Sequence, residues 1–222
     1  METPVSPKSM TLRIHEALER IATALRADDW VSARAAGVNP TQFAIMTVLE
    51  GRTEGASVRM IADQLGVSQP SATDSISALE RKRYVLRSPS GRDRRSVNVG
   101  LTAEGQAALA AAHATRSVAE QAAGALAKDQ QEDLLVSLVT MIRHLQESGN
   151  IPIQRMCISC RHFRPYAHAD AAQPHHCNFV NAAFGQQDLR IDCREHETAD
   201  PLVRAATWAA FQKDHSPNPL GI

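Results

Sequence analysis

Apolar side chains recur at helical spacing along most of the first 150 residues. Ile14, Leu18, Ile21 and Leu25 predict a first helix from Met10 to about Ala27. The stretch "GVNP", residues 37–40, breaks the pattern. Asn39 is placed to N-cap a second helix, with Pro40 in its first position and Gln42 able to reach back to the cap. Phe43, Met46 and Leu49 give that helix an inward face, and it should stop near Gly51. Val58, Ile61, Ala62 and Leu65 then line one side of a short helix that ends at Gly66, where a C-capping glycine belongs. Ser68 can cap the next helix, which tolerates Pro70 in its first turn and carries Ala72, Ile76 and Leu79 inward.

The period then changes from helical to alternating. "YVLRSP", "SGRDR" and "RSVNVGLT", residues 84–102, read as strand, glycine turn and strand, with Val97, Val99 and Leu101 alternating. Two short helices joined by a glycine turn are a helix-turn-helix or a plain helical hairpin. A β-hairpin directly after them makes the combination a winged helix. Thr102 should cap an alanine-rich helix running to about Ala127, with Glu104 favourable in its first turn. Asp129 with Glu132 signals another helix, striped by Leu134, Leu138, Met141, Ile142 and Leu145 and ending at Gly149. "NIPIQ" follows as a short linker. The expected fold is mainly α (α+β). A winged helix-turn-helix with long helices occupies residues 1–150, and a small cysteine-rich segment with a terminal helix, Pro201 to Gln212, occupies 151–222.

Charge alters this picture locally. Lysine plus arginine and aspartate plus glutamate each number 24, so no global field steers the chain to nucleic acid. Residues 80–95 nevertheless hold seven cations against Glu80 and Asp93, which is a local basic patch. No apolar run is long enough to span a bilayer, and the N-terminus lacks a signal-peptide core, so no membrane partner and a cytoplasmic location are expected. There is no Gly-x-Ser-x-Gly, P-loop or dinucleotide fingerprint, and enzyme activity is not expected.

Over about residues 10–148 the chain resembles the MarR family of bacterial transcription regulators. "GRDRRSVNVGLTAEG" matches that family's wing pattern of D-x-R, a strand and L-T-x-x-G, and "IADQLGVSQPSATDSISALERKRYV" fits its helix-turn-helix. The resemblance implies a homodimer on a pseudo-palindromic double-stranded operator, with the first helix and the last two packed against their mates. A small-molecule effector, often aromatic, would lie between the dimer helices and the winged lobe. The stripe from Leu134 to Leu145 has no obvious partner in so small a domain, which agrees with a dimer; an ordinary intramolecular core is the other reading.

The second helix of the motif should enter the major groove with its N-terminal end leading. Its outward residues would be Ser68, Gln69, Ser71, Thr73, Asp74 and Ser77. Gln69 can pair bidentately with adenine, and the hydroxyls can reach bases or phosphates, although serines there also simply cap and solvate. Arg92 and Arg94 sit where a wing tip would reach a narrow minor groove. Asp93 and Arg95 match the family's wing pair, and Asp93 would hold an arginine to fix the hairpin.

The four cysteines of the chain, Cys157, Cys160, Cys177 and Cys193, all lie beyond residue 156 in the spacing C-x2-C-x16-C-x15-C. This segment falls outside the MarR pattern. In a reducing compartment, clustered cysteines are metal ligands or redox groups more often than disulfides. One reading is tetrahedral zinc on the four thiolates, with His196 as an alternative ligand. A second is a cubane iron–sulfur cluster, since one close pair followed by two distant cysteines loosely resembles the high-potential iron–sulfur arrangement, and Phe163, Phe179 and Phe184 could shield it. A third is free redox-active thiols. Three functions follow: a regulator whose tail holds a structural or sensing metal, a conventional ligand-responsive regulator with a purely structural tail, and an iron–sulfur redox protein.

Overall fold

The computed structural model describes residues 8–89, 97–114 and 116–213. The wing-tip residues Arg92, Asp93, Arg94 and Arg95 lie outside the described residues. The chain divides into two compact units, Met1–Leu126 and Ala127–Ile222.

The first unit opens with α1 (Met10–Ala35) and α2 (Pro40–Leu49). Helix α1 runs past the expected end at Ala27, because no glycine or proline interrupts the chain until Gly37, which turns at φ 69°. Helix α2 starts as its sequence predicts: Gln42 N–H donates to Asn39 Oδ1 at 2.8 Å, and Asn39 N–H donates back to Gln42 Oε1 at 3.4 Å. Next come β1 (Ala56–Ser57), α3 (Val58–Leu65) and α4 (Gln69–Arg81). Strands β2 (Val85–Pro89) and β3 (Val97–Leu101) pair antiparallel from Val85↔Leu101 to Pro89↔Val97. Strand β1 adds to the other edge of β3, Ala56 facing Val99, so the sheet order is β1-β3-β2. Thr102 caps α5 (Ala103–Ala112) by accepting from Gly105 N–H at 3.0 Å.

The predicted continuous helix from Thr102 to Ala127 is two helices. Helix α5 stops at Ala112, and Ser117 starts α6 (Val118–Gly124) by accepting from Glu120 N–H at 3.0 Å. A serine that can satisfy an orphan N–H favours a new start over continuation. The core of this unit joins Ile45, Met46 and Leu49 of α2 to Ile61, Ile76, Leu79, Val99 and Leu109, all fully buried. Each such side chain contributes about 1.5–3 kcal/mol on burial.

The second unit contains α7 (Lys128–Glu147), then β4 (Phe163–Arg164), β5 (His175–Cys177), β6 (Ala182–Phe184) and α8 (Pro201–Lys213). Helix α7 begins before Asp129, whose carboxylate sits in the first turn rather than at the cap; the backbone N–H of Ala127 is taken by Gln130 Oε1 at 3.1 Å. The three short strands form an antiparallel sheet in chain order. Asp200 caps α8, accepting from Leu202 and Val203 N–H groups at 3.1 Å. Val136 and Val139 of α7 share one core with Met156, Ile158, Cys160, Phe163, Leu189 and Phe211.

Two expectations shift here. The pattern along the chain puts a boundary at residue 150, whereas α7 packs with the cysteine-rich segment and the compact units part after Leu126. The buried face of α7 is Val136, Val139 and Arg143, with Leu135 and Ile142 packed beside it, while Leu134, Met141 and Leu145 of the predicted stripe stay exposed. Among the described residues no helix is long and apolar enough to cross a membrane.

Candidate nucleic-acid interface and cysteine-lined cavity

Helices α3 and α4 are short because each is capped at both ends. Ser57 Oγ accepts from Met60 N–H at 3.2 Å, and Gly66 closes α3 in the left-handed conformation at φ 63°. Adding a side chain at Gly66 would meet no atom within 4 Å, so the glycine is there for its backbone and not for space. Ser68 Oγ then accepts from Ser71 N–H at 3.2 Å and starts α4. Ala72, Ile76 and Leu79 of α4 face the core, which turns its polar side outward.

The six residues expected along α4 separate into two groups. Ser68, Gln69, Ser71 and Asp74 are exposed at the N-terminal end, with the Ser68 and Ser71 hydroxyls 2.8 Å apart. Thr73 and Ser77 are half-buried and bond back along the helix: Thr73 Oγ1 donates to Gln69 O at 2.8 Å, and Ser77 Oγ donates to Thr73 O at 2.9 Å. Ser77 Oγ also accepts from Arg87 Nη2 at 3.3 Å, and Arg87 Nε donates to Glu80 Oε2 at 3.2 Å. Ser77 thus ties strand β2 to α4. Arg81, Lys82 and Arg83 are exposed at the end of α4, the described part of the basic patch.

The MarR family model matches residues 36–96, the stretch that holds α2, α3, α4 and β2. The transcriptional regulator SlyA superposes with a TM-score of 0.52 at 18% identity, over 61% of this chain and 95% of that one. A MarR transcriptional regulator from Methanosarcina mazei Go1 gives 0.51 at 21% identity, over 60% and 96%. The N-terminal unit has the MarR winged-helix fold. CouR from Rhodococcus jostii RHA1, bound to p-coumaroyl-CoA, gives 0.50 at 18% identity, over 66% and 98%. No curated protein matches the chain. Each MarR-type structure is spanned almost whole, while a third or more of this chain lies outside the superposition.

The N-terminal unit also carries a solvent-open pocket of about 630 Å³ beside α1, α2 and α5. Leu25, Asp28, Phe43, Thr47, Ala112 and His113 are among its walls. The His113 ring meets Phe43 edge-on at 5.7 Å, so the walls offer both apolar and hydrogen-bonding surface.

In the C-terminal unit all four cysteines line one cavity of about 370 Å³. Cys157 and Cys160 flank a single 3₁₀ turn, in which Cys160 N–H donates to Cys157 O at 2.9 Å. Cys177 ends β5, opposite Phe163 of β4 and Ala182 of β6. Cys193 comes from the loop after Leu189, which folds back on the first pair: Cys157 N–H donates to Arg190 O at 3.0 Å, and Cys193 N–H donates to Arg155 O at 2.9 Å. A salt bridge between Arg155 and Asp192 fastens the same loop.

The other walls are mostly apolar: Phe163, Phe179, Val180, Ala182 and Phe184. Two donors meet the sulfurs. Arg190 N–H lies 3.3 Å from Cys157 Sγ, and Arg190 Nη1 lies 3.7 Å from Cys193 Sγ. Burial pushes the Cys157 thiol up to about 11, against the pull of the Arg190 backbone bond, and the other three cysteines add to the rise. All four cysteines are free of disulfides. Among the described residues, no three His, Cys, Asp or Glu side chains are gathered as one metal ion would need.

His196 does not line the cavity; its Nε2 lies 2.9 Å from Ser159 Oγ. Arg190 is the residue that sequence reading missed. Its only signal is its place three residues before Cys193, which no motif marks.

Proposed function

We propose that this chain is a sequence-specific DNA-binding transcription regulator of the MarR type. It acts as a homodimer, and its C-terminal unit carries a thiolate-bound metal centre that is structural or senses metal or redox state. The observation that carries the reading is the capped α3–Gly66–α4 pair, whose leading end presents Ser68, Gln69, Ser71 and Asp74 beside a β-hairpin and a basic segment. A helix N-terminus with polar side chains outward is the geometry that enters a major groove. Two helices leave apolar side chains uncovered in the single chain: Ile14, Ile21 and Leu25 on α1, and Leu134, Met141 and Leu145 on α7. A second copy covering those faces supports a pseudo-palindromic operator with one winged helix per half-site.

The pocket beside Phe43 and His113 favours an added role for a small molecule, as the p-coumaroyl-CoA bound by CouR illustrates for that protein. Effector binding there and a metal in the tail are compatible.

The test is operator binding by the full chain across a salt series. Gln69→Ala should relax sequence preference at a cost of about 1–3 kcal/mol. Arg94→Ala should weaken binding to all sequences and lower the log–log salt slope by about one. Unchanged affinity, preference and slope in both variants would remove the winged helix as the DNA reader.

A further inference from the structure

We infer that the cavity lined by Cys157, Cys160, Cys177 and Cys193 takes a cubane cluster of four irons and four sulfides, one iron on each thiolate, and not a single zinc ion. This rests on reading the four cysteines as metal ligands, and it names the metal.

Geometry is the first reason. A tetrahedral zinc site has Zn–S distances of about 2.3 Å, which brings its four sulfurs within roughly 4 Å of one another and leaves no void between them. Here the four cysteines line one cavity of about 370 Å³, and among the described residues no three His, Cys, Asp or Glu side chains close on a point. A cubane puts iron and bridging sulfide in the middle, so its four cysteines must stand around a chamber. The sheet and loop supply that chamber. The Cys157–Cys160 turn forms one side, Cys177 at the end of β5 another, and the Cys193 loop closes the third.

The walls are the second reason. Zinc on four thiolates needs no apolar room beyond its ligands. A cluster exposes inorganic sulfides on its faces, and solvent exposure of those sulfides sets both its potential and its stability. Phe163, Phe179, Val180, Ala182 and Phe184 give them an apolar surround. Two of these, Phe163 and Phe184, lie in or against the main core of the unit, so that side of the chamber is packed from behind.

The third reason is the placement of Arg190. Its backbone N–H and its guanidinium meet the sulfurs of two cysteines that are far apart in sequence, at 3.3 and 3.7 Å. Donors to ligand sulfur are a main lever by which a protein stabilises a cluster and tunes its potential. Binding converts each thiol to a thiolate, with its proton released to solvent. The thiolate set then carries a negative charge that the Arg190 guanidinium partly offsets.

The experiment is elemental and sulfide analysis of full-length protein purified without air or chelator. It is repeated after anaerobic treatment with iron, sulfide and a thiol reductant, and separately with zinc alone. The expected result is about four irons and four acid-labile sulfides per chain, with broad absorption at the blue end of the visible spectrum. One zinc per chain, no labile sulfide and no colour after the iron treatment would overturn the cluster and keep the metal-centre reading. No metal under any of these conditions would overturn both. Cys177→Ser should reduce the iron retained; if that variant does not fold, the wild-type stoichiometry still decides. Arg190→Gln should keep the same iron and sulfide content and lower the cluster's reduction potential, because a positive charge and a donor to sulfur are lost. An unchanged potential in that variant would contradict the placement of the guanidinium on the Cys193 sulfur.

Discussion

Leu79 and Phe163 are both buried, but their surroundings differ. Leu79 is 0% exposed in a closed packing of helices and sheet, among side chains such as Ile45, Met46, Ile61 and Ile76. Phe163 is 2% exposed and packs on His175, Phe184 and Phe211, yet it also forms part of the wall of the cysteine-lined cavity. The core around Leu79 is filled by the N-terminal unit's own side chains, and that unit's pocket lies to the side of it, against α1, α2 and α5. The C-terminal unit builds its interior around a space. Its strands are two or three residues long, too short to hold a sheet by ladder bonds alone. Its loops are fastened by Arg155 on Asp192 and by Arg161 and His162 on Glu197, with the two Glu197 contacts at 3.1 Å. The Arg161–Glu197 pair is exposed on both sides, and a pair of that kind contributes little. The difference teaches where the proposed metal centre would matter: the core around Leu79 closes on its own side chains, and the tail is the unit that a centre on its four cysteines would complete.

Matched core truncations should sharpen that contrast most. Phe211→Ala removes the ring that joins α8 to Phe163, Tyr166 and His175, and should cost about 3–5 kcal/mol. It should also lower the metal retained by the tail. Leu79→Ala should cost about 2–5 kcal/mol in the winged unit and leave metal content unchanged. Denaturant unfolding followed together with metal release checks both. Metal loss in the Leu79 variant, or full retention in the Phe211 variant, would break the division of labour. A smaller effect is expected at Gly105, where an added Cβ would stand 2.1 Å from Tyr84 O. Gly105→Ala must push α5 off the start of β2, and should destabilise the winged unit by about 1–3 kcal/mol with the tail's metal content unaltered.

The same contrast governs how much was legible in the sequence. Asn39, Ser68 and Thr102 start their helices as read, because a cap acts within three residues of itself. Gly66 ends α3 for a local reason as well. Strand β1 left no trace, since it is two residues whose pairing partners lie more than 40 positions away. The break before α6 was hidden in an alanine run that favours helix throughout, although Ser117 with Glu120 was a usable signal. Helix α7 is apolar on more than one side: beside the stripe that leaves Leu134, Met141 and Leu145 exposed it has an inward face that the stripe does not mark. Its inward face includes Arg143, which lies 4.9 Å from the Trp208 ring, a partner 65 positions away that no periodicity can reveal.

At the candidate sites, residue types were readable and geometry was not. Gln69 and Asp74 stand exposed where the helix-turn-helix reading put them, whereas Ser77 turned out to hold Arg87. The gathering of the four cysteines was legible from their absence elsewhere in the chain. That they line a chamber, and that Arg190 meets two of them, depends on how the loop after Leu189 folds back.

The measurement that bears most directly on this account is hydrogen exchange along the full-length chain, read by mass spectrometry, for the metal-loaded protein and for Cys160→Ser. The substitution should strip the centre and collapse protection across residues 156–199. Residues 40–80 of the winged unit should keep the protection of the parent. A tail that stays protected without its centre, or a winged unit that loses protection along with the tail, would contradict it.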